Sequence, residues 1–402
     1  MLGKWLTIIG IGEDGWDGLA TDARNALERA EVVIGGARQL AFLPQLSSKR
    51  LNWPSPMIPF ITEMIERYRG RTVAVLASGD PLLYGVGALL TARLDASEYV
   101  VIPHLSSFTL ACARLGWPSA ETPLISAVHR PLERLLREAT PGRRLIVLSE
   151  DGLTPAAVAS LLVQHGYGKS AITVLERLGG PYERRHDGVA ASWERRCDDL
   201  NIVAVTCIAD GGVHVLSNIP GLPESAYETD GQITKREIRA AAIARLAPSP
   251  GELLWDVGSG TGSIAVEWMR AHPACRSIAF EKMDTRAERI ARNARSLGVP
   301  DLRVVHGMAP DAFDGLPQPH AIFIGGGITT PGLLQGCLQR IAPGGRIVAH
   351  AVTIEGEATL VRAQALHGGE LIRIAVSHAE PLGTMSCWRP QLPVTEWCFQ
   401  TL

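Results

Sequence analysis

Residues 253–257 form an apolar run that leads through Asp256 into Gly258-Ser259-Gly260-Thr261-Gly262 and then into a helix-like segment. Glycines at that spacing let the backbone turn with positive φ and come close to a ligand, while the first amides of the helix point outward as donors. Glu281 closes the next apolar run, 277–280, where a carboxylate can accept both hydroxyls of a ribose. A glycine turn alone is as often a tight strand-to-helix connection as a site, and the acid at the end of the following strand tips the reading toward a nucleoside ligand. Asp256, just ahead of the glycines, would repel a pyrophosphate and suits a ligand that carries positive charge.

The first half has glycine loops of its own. Gly10-Ile11-Gly12-Glu13-Asp14-Gly15 follows an apolar strand at 6–10, Ser78-Gly79-Asp80-Pro81-Leu82-Leu83-Tyr84-Gly85 follows 72–77, and His104-Leu105-Ser106-Ser107 follows 99–102. Singly, each is an ordinary turn. Together they outline one cleft, because parallel sheets gather ligands at the carboxyl ends of their strands.

The elements that must hold these loops are short apolar strands alternating with helical stretches. Strands at 6–10, 32–34, 72–77, 99–102, 145–149, 171–175 and 202–208 predict parallel sheets covered by helices in an α/β first domain, residues 1–212. Residues 213–230, with Pro220, Gly221 and Pro223, have linker composition. A second domain, 231–402, opens on a capping box with Thr234 at the N-cap and Glu237 at N3 of an Ala-rich helix. Strands at 253–257, 277–280, 302–305, 321–324 and 346–349, closed by 371–376 and 396–400, give a doubly wound, Rossmann-like sheet.

At 402 residues two domains are the expectation, and a net charge of −2 leaves no basic footprint for nucleic acid. The seven cysteines show neither Cys-x-x-Cys nor metal-ligand spacing, so reduced packing residues and no metal are expected. The apolar start, 5–11, is too short for a signal peptide, and no run approaches a membrane span, which points to the cytoplasm and away from membranes.

The N-terminal half resembles the tetrapyrrole methylase family. The resemblance rests on the Gly10-x-Gly12 opening, on Gly79-Asp80-Pro81 with Tyr84-Gly85, and on Ser106-Ser107. Leu115-Gly116-Trp117 and Ser126-Ala127-Val128-His129-Arg130 are similar to its cobalamin-pathway members in particular. Glu13 departs from the family's frequent Pro, so the opening turn is expected to bind differently. The Gly258-x-Gly260-x-Gly262 form, with Asp256 ahead, resembles the first motif of class I S-adenosyl-L-methionine (SAM) methyltransferases. Gly231 to Glu237, Gly307-Met308-Ala309-Pro310 and Phe323-Ile324-Gly325-Gly326-Gly327 are similar to the methyltransferase of the same pathway.

The resemblance covers nearly the whole chain. It implies a tetrapyrrole methylase fold, two α/β subdomains with a cleft between, followed by a class I methyltransferase domain. It also implies a SAM-dependent enzyme of corrinoid synthesis that methylates two meso carbons of a precorrin and decarboxylates a ring acetate, working as a homo-oligomer. An RNA or protein methyltransferase with a non-catalytic first domain is the alternative, since both folds serve other substrates. By resemblance, Gly10, Gly12, Gly79, Asp80, Pro81, Ser106 and Ser107 hold the first cofactor. Thr234, Asp256, Gly258, Ser259, Gly260, Thr261, Gly262, Glu281, Gly307, Met308 and Ala309 hold the second. Thr234 reads equally as a helix cap alone, and Asp80 as a turn former.

Methyl transfer from a sulfonium is an in-line displacement that asks chiefly for alignment and exclusion of water. The macrocycle can act as its own electron sink for decarboxylation. A polycarboxylate substrate needs cations, and Lys235 with Arg239, four residues apart on one helix, are candidates beside Arg236. His129 and Arg130 are the first-domain candidates. For any one of them a solvated ion pair or a packing role is the plainer reading.

Overall fold

The computed structural model describes residues 4–213 and 215–401. Residues 1–3 and 402 at the ends of the two expected domains, and His214 in the 213–230 stretch, lie outside the described residues. The chain divides into two compact units, one ending at Val213 and the other beginning after it, except that Glu133–Ala139 belongs to the second.

In the first unit, strands β1 (Leu6–Ile11), β2 (Val32–Gly35), β3 (Lys49–Asn52), β4 (Val73–Ser78) and β5 (Tyr99–Ile102) form a parallel sheet in the order β3-β2-β4-β1-β5. Leu6 and Ile8 of β1 enter one core cluster, and Ile9 and Ile11 enter another. The continuous apolar run is therefore buried on both faces, as a central parallel strand requires. Because Gly10 pairs with Ala77 and Ile11 with Ser78, the β1 and β4 loops emerge side by side. A Cβ on Gly10 would lie 2.1 Å from the Gly79 carbonyl oxygen, so the two backbones touch here.

Strands β6 (Leu124–Ser126), β7 (Arg144–Leu148), β8 (Ala171–Glu176), β9 (Arg184–Val189) and β10 (Asn201–Thr206) make a second sheet ordered β6-β7-β10-β8-β9. The expectation of parallel sheets fails here, because only β6 and β7 run parallel and the other three pairs are antiparallel. The connection from β8 to β9 is too short for a crossover, which takes about a dozen residues or more. Strand β9 contains Arg184, Arg185 and His186, and these polar residues suit an exposed edge.

The second unit contains β11 (Leu253–Val257), β12 (Arg276–Glu281), β13 (Arg303–His306), β14 (Ala321–Ile324), β15 (Arg346–Ala351), β16 (Glu370–Ile374), β17 (Ser377–Leu382), β18 (Met385–Pro390) and β19 (Val394–Gln400). Seven of them form the sheet β13-β12-β11-β14-β15-β19-β16, in which β19 alone runs antiparallel to its neighbours. Strands β17 and β18 pair as a separate hairpin that sequence periodicity did not mark. This is the doubly wound arrangement, with the glycine loop leaving the central strand β11. Among the described residues, no helix is long and apolar enough to cross a membrane. Burial pushes the thiols of Cys207, Cys337 and Cys398 up to about 12, which keeps them in the unreactive form.

The stretch with linker composition is packed, since Leu222 and Tyr227 belong to the core of the second unit. Glu267, 2% exposed, accepts hydrogen bonds from the amides of Gly221 (2.7 Å) and Leu222 (3.0 Å), from the Tyr227 hydroxyl (2.9 Å) and from Arg239 Nε (2.5 Å). Arg239 also donates to the carbonyls of Thr234 and Leu222, and its guanidinium lies 5.0 Å from the Tyr227 ring. The expected capping box is absent. The helix runs Arg236–Leu246 with Lys235 at the N-cap, and the Glu224 carboxylate takes the first amide, that of Arg236, at 2.9 Å. An acid from the preceding stretch thus does the work assigned to Thr234, and favours the positive end of the helix.

Removing one partner of a buried ion pair leaves the other charge uncompensated. Glu267→Ala is therefore expected to lower the stability of the second unit by about 3–5 kcal/mol, read as a lower urea midpoint by circular dichroism.

Candidate functional site

In the first unit, the ends of β1, β4 and β5 open onto a cavity of about 410 Å³. Gly12, Gly79, Asp80, Ser106 and Ser107 line it, whereas Gly10 and Pro81 do not. Gly79 has φ +54, and a Cβ there would meet Ser106 Cα at 2.9 Å, so the second loop can pass the third only as glycine. Asp80 Oδ1 accepts the Leu82 amide at 2.9 Å, the turn-forming bond expected of it. Ser106 caps the helix Ser107–Leu115 by accepting the Thr109 amide at 3.0 Å. The His129 side chain is 88% exposed, pairs with Glu150 at 2.8 Å and stands outside the cavity lining expected of it, which Val128 reaches instead. Arg130 lies over the Tyr84 ring, 5.0 Å from its centroid.

The second unit has a cavity of about 910 Å³ at the ends of its strands. Thr234, Lys235, Gly258, Ser259, Gly260, Thr261, Glu281, Gly307, Met308 and Ala309 all line it. Gly258 has φ +70, a left-handed backbone that favours glycine, and a Cβ on it would lie 3.0 Å from the Gly326 backbone, tighter than an ordinary contact. Glu281, 5% exposed, accepts the Gly260 amide at 3.0 Å with one oxygen and the Met283 amide at 3.1 Å with the other. One carboxylate thus fixes the glycine loop and faces the cavity.

Four expected site residues, Arg236, Arg239, Gly262 and Asp256, are not in this lining. Arg239 is fully buried and donates to Glu267 and to the backbone carbonyls of Thr234 and Leu222. Gly262 is the N-cap of the helix Ser263–Ala271 and packs against Ile290. Asp256 is buried beneath the loop, its Oδ2 accepting the Ala265 amide at 3.2 Å while Oδ1 has no hydrogen-bond partner among the described residues. Burial pushes its carboxyl up to about 7, against the pull of the Ser259 hydroxyl and the Ala265 amide.

The structure adds residues that motif reading missed. Beside Glu13 of the opening turn, Arg38, Gln39 and Arg177 line the first cavity, and Lys282, Arg286 and His350 line the second. His350 Nε2 lies 2.8 Å from Glu396, which is 1% exposed and directly opposite on β19. Burial pushes the Glu396 carboxyl up, yet the bond to His350 and its charge hold it below the usual carboxylate range. No local motif announces that pair, because it exists only once β19 lies beside β15.

Each unit therefore carries a cavity at the carboxyl ends of its own strands, walled by tight glycine turns. Residues 5–192 match the family of tetrapyrrole (corrin/porphyrin) methylases, and residues 225–401 match the precorrin methyltransferase domain. The fold and site thus define a two-domain methyltransferase of the tetrapyrrole class. Over 399 residues the chain is 45% identical to the precorrin-6Y C(5,15)-methyltransferase (decarboxylating) of Sinorhizobium sp, covering 99% of this chain and 96% of that protein. It is 46% identical over 398 residues to the enzyme of the same name from Mycobacterium tuberculosis (strain CDC 1551 / Oshkosh), covering 98% of each. The chain belongs to the precorrin-6Y C(5,15)-methyltransferase (decarboxylating) family. The crystal structure of the C-terminal domain of that enzyme from Rhodobacter capsulatus is 47% identical, with a TM-score of 0.44 over 46% of this chain and 100% of that one. Membership across the full length does not favour the RNA or protein methyltransferase alternative.

A carboxyl held at about 7 in the folded chain and near 3.8 when unfolded binds its proton more tightly in the folded state. Its contribution to stability is complete below pH 3.8 and is lost as the pH rises through 7. Asp256→Asn, which keeps an acceptor for Ala265, is expected to flatten that part of the stability profile, measured by urea unfolding at several pH values.

Proposed function

We propose that this chain transfers methyl groups from SAM to carbons 5 and 15 of precorrin-6B and decarboxylates the ring C acetate, giving precorrin-8X. The observation that carries the reading is the presence, in one chain of this family, of two separate strand-end cavities, each with its own glycine loops.

The residues present fit the cofactor. In the second cavity Glu281 offers a carboxylate in the wall, and the Gly258–Gly326 approach leaves a cradle that a Cβ would fill. Gly258, Ser259, Gly260, Thr261, Glu281, Gly307, Met308, Ala309 and Thr234 are assigned to hold SAM there. Gly12, Gly79, Asp80, Ser106 and Ser107 are assigned to hold it in the first cavity. When bound, SAM supplies an activated methyl on a sulfonium.

The chain's part is alignment and exclusion of water. The loop fixed by Glu281 sets where the methyl axis lies, and the cavity wall sets where the meso carbon stops. Enamine-like meso carbons are nucleophilic already, so complementarity to the transition state does more than a strong base would. For decarboxylation, a protonated imine of the macrocycle takes the electron pair of the breaking bond. Lys235, exposed in the second cavity wall, is assigned to hold a substrate carboxylate. A cytoplasmic homo-oligomer belongs to this reading, and the exposed Leu382, Met385 and Trp388 of the β17–β18 hairpin offer apolar surface for self-association.

The purified chain, given SAM and the reduced precorrin, is expected to add two methyl groups and release one carbon dioxide, followed by mass spectrometry and gas evolution. Gly79→Arg, which fills the first cavity beside Ser106, is expected to remove one methyl addition and leave the other. Retention of both additions in that variant would falsify the two-site reading.

A further inference from the structure

The wall of the first cavity carries two guanidinium groups that no motif picked out. Arg38 lies on the short helix Ala37–Ala41 that follows β2, and Arg177 follows β8 of the second sheet in the same unit. Both line the cavity together with Glu13. The Glu13 carboxylate forms an ion pair with Arg38 and stands 3.5 Å from Arg177 Nη1. Arg177 Nε is held at 2.8 Å by Asp198, which is outside the lining, and Arg38 reaches Ser78 Oγ at 3.2 Å. Two cations thus share one carboxylate at the cavity wall.

The arrangement departs from what a surface ion pair needs. Arg177 has φ +47, a left-handed backbone that a residue with a Cβ adopts only where its surroundings impose it. Burial, with the neighbouring Arg177 charge, holds the Arg38 guanidinium below its ordinary range, so the pair is repulsive and partly dry. The side chains of Arg38 and Arg177 are nonetheless 38% and 36% exposed, whereas Glu13 is 10% exposed. The cations, more than the acid between them, are accessible to a ligand.

We propose that Arg38 and Arg177 bind a carboxylate of the tetrapyrrole substrate, and that Glu13 occupies the pair as an internal carboxylate until the substrate arrives. The proposal rests on the reading that this unit acts on a precorrin. A carboxylate could also come from the amino-acid end of SAM, but that end carries an ammonium and a sulfonium close by, which two guanidiniums would repel. The acetate and propionate groups of the pigment have no such cation beside them. The planar guanidinium fork fits a carboxylate with two parallel hydrogen bonds, and an incoming carboxylate keeps both cations paired as Glu13 gives up its place.

The test uses the full chain and follows the methyl addition that Gly79→Arg removes. Arg38→Met and Arg177→Met are each expected to raise KM for the precorrin about tenfold or more, while affinity for S-adenosylhomocysteine in equilibrium dialysis stays unchanged. Glu13→Gln removes the competing charge and is expected to lower KM, the opposite of what loss of a merely structural acid would do. Should a Met variant fail to fold by circular dichroism, Arg38→Lys and Arg177→Lys carry the same test, because they keep the charge and lose the fork. KM within twofold of the unaltered chain in the arginine variants, with no decrease in Glu13→Gln, overturns the assignment. A loss of S-adenosylhomocysteine affinity that matches the rise in KM also overturns it and gives the pair to the cofactor. If the unaltered chain methylates no precorrin, the functional reading fails first; turnover with unchanged variant kinetics sinks the carboxylate site alone.

Discussion

The buried carboxylate of Glu267 is the constraint on which the second cavity depends. It gathers two backbone amides, a phenol and a guanidinium from residues 221–239, and so ties that stretch to the helix Ser263–Ala271 that follows the glycine loop. Residues 231–235 and 238, which wall the cavity, lie within the segment held this way. A buried ion pair is a poor source of net stability compared with apolar packing, and its value here is positional. Burial and the Glu267 charge raise the Tyr227 phenol well above its ordinary range, so the hydroxyl remains a donor throughout the pH range of the folded protein.

Both units solve one geometrical problem in different ways. A ligand must approach backbone at the end of a sheet, so where neighbouring loops pass closest at least one of them has to lack a Cβ. In the first unit the contact is between Gly79 and Ser106, and in the second between Gly258 and Gly326. The first unit then completes its cavity with a second, mostly antiparallel sheet, which contributes Arg177 and Asn201. The second unit completes its own with loops after β11, β12, β13, β14 and β15 of one sheet, together with residues 231–235 and 238 ahead of β11.

Much of this was legible in the sequence where the signal is local. Most of the parallel strands, the glycine loops and the acid ending β12 follow from apolar runs and turn residues, because a strand buried on both faces and a tight turn each impose composition on a few consecutive positions. What failed is non-local. Arg239 shares a helix face with Lys235, and the spacing says nothing about Glu267, which buries it. Thr234 and Glu237 have the sequence of a capping box, but Glu224 reaches the helix start first. Pro220 and Gly221 read as linker, since turn composition does not reveal that the Gly221 amide has a buried acceptor. Glu13 was visible as a departure from the expected turn, although its two arginine partners lie far off in sequence.

The place of β19 in the sheet has a consequence for synthesis of the protein. That strand lies between β15 and β16, although it follows both in the chain. Until residues 394–400 leave the ribosome, β15 has a bare edge, and β16 has no neighbour to join. The second half of the molecule must therefore wait for its final strand before its sheet can close, and a nascent chain stalled earlier presents an open hydrogen-bonding edge to which other chains can adhere.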